Sequence, residues 1–226
     1  MAAKKAIFPA ALVVAGRRCL VVGGGTVAAR KISALLAAGA AVTVVAPEVH
    51  VATGILAREG AIEGNEGPPI DVQIRPYRSG EAARYQLVIA ATGRPDVDGQ
   101  VFADADGAGV WVNCADDPDH CSFLFPAVYR DGQVTVAVST AGASPALAAW
   151  LRDELSGDVD GAGEIARLVD EGRNFVHLLG GSTEALDWTA LLDGPFPDLV
   201  RRGSLEEARD VLRQAIEAAM RTGESV

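Results

Sequence analysis

The sequence predicts an α/β protein: an amino-terminal doubly wound parallel sheet, then a pair of antiparallel strands, then a helical carboxyl-terminal domain. Three observations carry this. Short apolar runs at 19–22, 42–45 and 87–90 alternate with helical patterns, the grammar of a sheet buried on both faces. Residues 123–130 and 133–139 are two β-rich runs separated by Asp131-Gly132, a strong hairpin signal. Beyond Ser144 the patterns are helical to the end.

Element by element, the run 19–22 stops at Gly23-Gly24-Gly25, as a buried strand does on entering a tight turn. Residues 27–38 then carry apolar side chains at three-and-four spacing and end at Gly39, a helix with glycine past its last turn. Residues 42–45 are the second strand, completing a strand, glycine turn, helix, strand unit within about thirty residues. Residues 72–74 read as a weak third strand, 87–90 as a stronger fourth, 96–105 as a short helix and 110–112 as a fifth strand. Residues 60–70, with Gly60, Gly64, Gly67, Pro68 and Pro69, read as a mobile surface loop, and the tail from Thr222 as a frayed end. Ser144-Pro145 offers a cap and a first-position proline to a helix over 146–155, and 162–171 and 204–221 are the clearest later helices. The domains so read are 1–118, a middle region 119–150, and 151–226.

Composition narrows the function classes. With 49% hydrophobic and 22% charged residues, the 226-residue chain is neither disordered nor fibrous. Its 20 basic and 30 acidic residues give a formal charge of −10, which argues against a nucleic-acid protein and against anionic membranes as partners. Cys19, Cys114 and Cys121 have no zinc or disulfide spacing and read as reduced thiols. Two early lysines faintly imitate a secretory signal, but Arg17-Arg18 interrupts the apolar run, and no stretch approaches the ~18 apolar residues of a membrane helix. A cytoplasmic protein is expected.

Gly23, Gly25 and Ala28 fit the G-x-G-x-x-G/A dinucleotide fingerprint, and they lie where its mechanism needs them, between a strand and a helix. Gly23 permits the turn, Gly25 lets backbone approach a pyrophosphate, and small Ala28 allows close helix packing, while the helix amino end offers N–H groups to the anion. The expected cofactor-binding set in this Rossmann-type sheet is Gly23, Gly24, Gly25, Thr26 and Val27, with Pro47 and Glu48 at the end of the second strand and Ala91 and Thr92 at the end of the fourth. The ribose-binding acid, due about 20 residues on, is replaced by Ala46-Pro47, with Glu48 the first carboxylate. Either Glu48 or the backbone of Pro47 and Glu48 meets the ribose, or Glu48 is a solvated turn residue. No arginine adjoins that strand end, so NAD is expected rather than NADP.

With these residues in view, the chain resembles the dehydrogenase/ferrochelatase module of siroheme synthase, the precorrin-2 dehydrogenase family. The resemblance runs from Phe8-Pro9 through the helix after Pro145 and more loosely to the end. Its blocks are residues 21–31, 90–92, 112–118 (Val-Asn-Cys-Ala-Asp-Asp-Pro), 122–127 and 136–145, in this order and spacing. It implies NAD-dependent oxidation of precorrin-2 to sirohydrochlorin in siroheme biosynthesis, with ferrous iron insertion, a lyase chemistry, in some members. It also implies a homodimer in which the antiparallel strands belong to the dimerisation region.

The family's catalytic aspartate aligns with Asp116. A carboxylate at a strand's carboxyl end can accept a proton as hydride leaves the macrocycle, and can take a pyrrole proton during metal insertion. Asp117 beside it leaves an ambiguity, and either aspartate could instead cap the Asp-Pro turn. His120, Cys121, Cys114 and Asp116 match no zinc template, so no metal site is expected. Ser139-Thr140 aligns with a Ser-Ser pair that resembles a phosphorylation site in some members; a locally bonded turn is the other reading. His50 and His177 read as surface or packing residues, Trp111 as core, and Trp150 and Trp188 as core or as lining a dimer seam or a porphyrinoid cleft. A nucleotide-sensing regulatory module and an oxidoreductase for some other small substrate are the competing functions. Because precorrin-2 is a polycarboxylate, Arg17, Arg18, Arg30, Lys31 and Arg130 are the candidate cations to meet it, or they pair with surface acids.

Overall fold

The computed structural model describes residues 6–59 and 70–223. The expected loop at 60–70 therefore lies outside the described residues, apart from Ile70, which is buried. The chain divides into two compact units, Met1–Phe125 and Pro126–Val226.

The first unit is built from β1 (Arg18–Val22), α1 (Thr26–Ala37), β2 (Ala41–Ala46), α2 (Val51–Glu59), β3 (Asp71–Ile74), β4 (Leu87–Ala90), α3 (Pro95–Gly107) and β5 (Trp111–Cys114), with 3-10 turns at Glu81–Arg84 and Pro118–His120. Its strands pair in parallel in the order β3-β2-β1-β4-β5. The order reverses between β1 and β4, so a crevice opens there beyond the carboxyl ends of the strands. Strand composition follows from double burial: Val21 and Val44 pack with Ile32 and Leu36 of α1 on one face, while Leu20 and Val88 pack with Val101 of α3 on the other. Each such side chain contributes roughly 1.5–3 kcal/mol on burial.

Two differences from the sequence reading concern local signals. α2 was not anticipated; its first turn is held by His50, whose Nδ1 accepts from the Ala52 N–H at 3.3 Å. Trp111, read as core, is 52% exposed, because it heads β5 at the amino end of the sheet rather than lying within it.

The second unit has a hairpin, β6 (Ala127–Asp131) and β7 (Val134–Val138), then α4 (Pro145–Ser156), α5 (Ala162–Leu178), α6 (Trp188–Asp193), α7 (Phe196–Arg201) and α8 (Leu205–Gly223). Asp131 pairs with Val134, so the turn is Gly132-Gln133, one residue later than the Asp-Gly signal suggests. Gly132 takes φ 53° there, as a two-residue hairpin turn requires of its first position. Ser144 caps α4 as expected, its Oγ accepting from the Leu147 N–H at 3.1 Å. The helical core gathers Leu168, Phe196, Leu212 and Ile216. Gly172 makes room for α8, since a Cβ there would sit 3.1 Å from a Leu212 methyl. Trp188 packs on this core and donates its indole N–H to the Thr183 carbonyl at 2.9 Å. Trp150 does not; it is 56% exposed on α4, contrary to the core reading. Among the described residues no helix is long and apolar enough to cross a membrane.

Candidate active site at the carboxyl edge of the parallel sheet

The three glycines after β1 play three different parts. Gly23 takes φ 125°, and a Cβ on it would stand 2.3 Å from the Ala91 carbonyl oxygen. The ladder is closed right up to this point: Gly23 N–H donates to Val45 O at 2.9 Å and Ala91 N–H to Val22 O at 2.8 Å. A Cβ on Gly24 would stand 2.3 Å from the Glu48 carbonyl. The Gly24 carbonyl in turn accepts from the fully buried Thr53 hydroxyl at 3.0 Å and the His50 N–H at 2.8 Å. Gly25 is different, for a Cβ there would meet nothing within 4 Å. It begins α1 with φ −81° and ψ −175°, no side chain caps the helix, and its first turn holds no acid. The result is an open space before an uncapped helix amino end, flanked by exposed Thr26 and Val27, which fits a pyrophosphate.

The neighbouring strand ends complete the crevice. Pro47 and Glu48 are exposed immediately after β2. Thr92, after β4, donates its N–H and its hydroxyl to Asp98 Oδ1 of α3 at 3.2 and 2.8 Å. Burial pushes the Asp98 carboxyl above its ordinary range, with lesser contributions that include the Asp116 charge. Sequence reasoning missed Asp98, because an acid in the first turn of a helix ordinarily signals only a favourable dipole. It also missed Arg75. The parallel register brings this residue beside β2, its N–H donating to Ala46 O at 3.0 Å, so an arginine does adjoin that strand end.

The turn after β5 separates the two aspartates. Its base is pinned: Ala115 N–H donates to Ala90 O, the Cys114 N–H donates to Cys121 Sγ at 3.2 Å, and buried Asn113 donates to the Phe123 carbonyl at 3.0 Å. Asp117 accepts from the Asp119 N–H at 3.1 Å and pairs with His120 Nδ1 at 2.6 Å, which holds its carboxyl below the usual range. Capping of the Asp-Pro turn thus falls to Asp117. Asp116 is exposed, and its carboxylate makes no hydrogen bond or ion pair among the described residues. Burial pushes the Cys114 thiol up to about 12. No group of three His, Cys, Asp or Glu side chains able to hold a metal occurs among the described residues.

Several other candidates resolve. Thr140 Oγ1 donates to the Ser144 carbonyl at 3.0 Å and accepts from its N–H at 3.1 Å, so the hydroxyl is engaged in its own turn. Lys31 sits with Nζ 3.4 Å from the Phe125 ring centroid. Arg17 and Arg18 stand at the amino end of β1, away from the crevice, whereas Arg30 is exposed on α1 near its open end. A hollow of about 420 Å³ lies between α6, the Gly194-Pro195 link and α8, but it is lined mainly by Leu and Ala, and its one carboxylate, Asp187, caps α6.

Residues 10–127 match the family described as putative NAD(P)-binding, and residues 131–157 match the central region of sirohaem biosynthesis proteins. The solved structure of SirC, a precorrin-2 dehydrogenase, superposes with a TM-score of 0.74 at 30% identity, covering 94% of this chain and 100% of that one. The chain belongs to the precorrin-2 dehydrogenase family. The siroheme synthases of Methylococcus capsulatus and Nitrosococcus oceani are 38% and 35% identical over 90% and 93% of this chain. The match covers only 42% and 44% of those longer proteins. The match to the putative NAD(P)-binding family spans the whole parallel sheet, including the open space over Gly25.

Proposed function

We propose that this chain oxidises precorrin-2 to sirohydrochlorin with NAD as the hydride acceptor and Asp116 as the proton acceptor. The observation that carries the reading is the division of labour in the turn after β5: Asp117 is consumed by His120 and the Asp119 N–H, and Asp116 is left exposed at the carboxyl end of the sheet. Bound nicotinamide supplies the hydride acceptor. The C–H bond of the macrocycle breaks with its electron pair leaving as hydride, and the accompanying proton passes to the Asp116 carboxylate and then to water. Gly23 makes the turn, residues 24–27 receive the pyrophosphate on backbone N–H groups, Pro47 and Glu48 face the ribose, and Ala91 and Thr92 wall the crevice. Arg30 is the best-placed cation for a substrate carboxylate.

In an anaerobic assay, Asp116→Ala is expected to lower NADH formation by about 10²–10⁴-fold with unchanged NAD affinity and unchanged thermal unfolding. Undiminished turnover overturns the assignment. The proposal is confined to the oxidation, since ferrous iron as a second substrate would draw on Asp116 alone. A regulatory sensor would have no use for an exposed, unengaged carboxylate in this position.

The same reading includes a homodimer formed through the 119–150 region and α4. A two-stranded sheet is marginal alone, and α4 leaves Leu147, Trp150 and Leu155 exposed. Sedimentation at twice the 23.4 kDa chain mass is expected, and a monomer at micromolar concentration sinks this part. The three cysteines are buried and burial raises the Cys19 thiol to about 11, which suits the reducing cytoplasm as the site of reaction.

A further inference from the structure

Arg75, the residue after β3, lies beside the end of β2, where a 2′-phosphate of NADP would be read by an arginine. Its guanidinium is already committed. A guanidinium has five N–H donors, and all five are used here. Nε and Nη2 donate to Gln73 Oε1 at 3.1 and 2.5 Å, Nη1 donates to the Pro76 carbonyl at 3.1 Å and to Glu81 Oε1 at 2.9 Å, and Nη2 donates to Glu81 Oε2 at 2.7 Å. The bidentate pair is largely withdrawn from water, with side chains 20% and 10% exposed.

Glu81 is itself held in place. It accepts the Arg78 N–H at 2.7 Å, and its turn is tied to α3 through Asp104, which accepts from Gly80 N–H at 2.6 Å and Tyr77 OH at 2.8 Å. The carboxylate is therefore a fixed competitor for the guanidinium that a 2′-phosphate would use at this edge, and it adds a negative charge of its own.

We propose that Glu81 is the residue that sets cofactor preference, selecting NAD by holding Arg75 away from a 2′-phosphate. The proposal rests on the dinucleotide reading of this edge. Breaking the pair without removing the arginine frees a planar, always-charged fork suited to phosphate.

The test is equilibrium binding, without turnover. Calorimetry gives the affinities of wild type, Glu81→Gln and Glu81→Asp for NAD and NADP, and for the fragments 5′-AMP and adenosine 2′,5′-bisphosphate. Glu81→Gln is expected to move the ratio of the two Kd values about tenfold toward the 2′-phosphorylated ligand, roughly 1.4 kcal/mol. Glu81→Asp, which keeps the charge but shortens its reach, should move it less in the same direction and guards against a variant that does not fold. Adding Arg75→Met to Glu81→Gln should cancel the gain. A ratio unchanged in folded variants, equal weakening of both ligands, or a gain that survives Arg75→Met overturns the proposal. Wild type that binds neither NAD nor 5′-AMP instead overturns the dinucleotide site itself.

Discussion

At the amino end of the parallel sheet, Gly16 turns at φ 67° into open space, and Leu12, Val13 and Trp111 leave apolar surface around a hollow of about 240 Å³. At the carboxyl end Gly23 turns at φ 125° with the Ala91 carbonyl against it, Gly24 abuts Glu48, and the polar groups of Thr53, Thr92 and Asn113 are all bonded. Both ends must reverse the chain, yet Gly16 does so in open space and Gly23 against neighbouring backbone. The lesson is that the end proposed as the site differs from the other by backbone approaching backbone with one position, Gly25, left open, rather than by an apolar hollow.

Alanine at three glycines separates the two ends most sharply. Gly23→Ala combines a positive φ with a contact that backbone cannot yield, and is expected to cost on the order of 4 kcal/mol and to abolish NAD binding. Gly16→Ala carries only the conformational penalty, about 1–2 kcal/mol. Gly25→Ala should unfold within about 0.5 kcal/mol of wild type, because its φ suits any residue and its Cβ meets nothing, yet the methyl would occupy the pyrophosphate's space and weaken NAD by at least about tenfold. Urea unfolding and calorimetry on the three variants give both numbers. Equal costs at Gly16 and Gly23, or undiminished NAD affinity in Gly25→Ala, would erase the distinction between the ends.

Much of this architecture was legible because its signals are local. Apolar runs marked β1, β2 and β4 plainly and β3 only weakly through Val72 and Ile74, and Gly23, Gly25 and Ala28 marked the turn between β1 and α1. What stayed hidden is what chain-distant pairing decides. Arg75 lies nearly thirty residues beyond Pro47, and only the β2–β3 register sets it beside Ala46. Thr53 and Asp98 are unremarkable until folding aims one at Gly24 and the other at Thr92. The core reading of Trp111 and Trp150 rested on large aromatics usually being buried, but burial belongs to the neighbours: one begins a strand and the other faces outward on α4. Which aspartate caps the Asp-Pro turn could not be read from the string Asp116-Asp117-Pro118, since it turns on which carboxylate His120 and the Asp119 N–H reach.

A last expected effect, within the parallel-sheet unit itself, concerns a charge met by a ring rather than by hydrogen-bond partners. Lys31 on α1 places its ammonium on Phe125, and burial, with Arg30 adding repulsion and Cys121 opposing, pushes its pKa down from the ordinary 10.5 to about 8. The folded state therefore releases the proton before the unfolded chain does. Below about pH 8 the charge is carried in both states and its desolvation opposes folding; between about 8 and 10.5 the unfolded chain binds more protons, so stability should rise with pH across that window. Cys19, Cys114 and Tyr77, whose pKa values are raised by burial, slope the opposite way at alkaline pH. They are present equally in Lys31→Met and cancel in the difference. Urea unfolding of both proteins at pH 7.5 and pH 10 should show wild type gaining on Lys31→Met as pH rises. A constant difference would mean that the ammonium keeps its water and that the contact with Phe125 is made by the lysine stem alone.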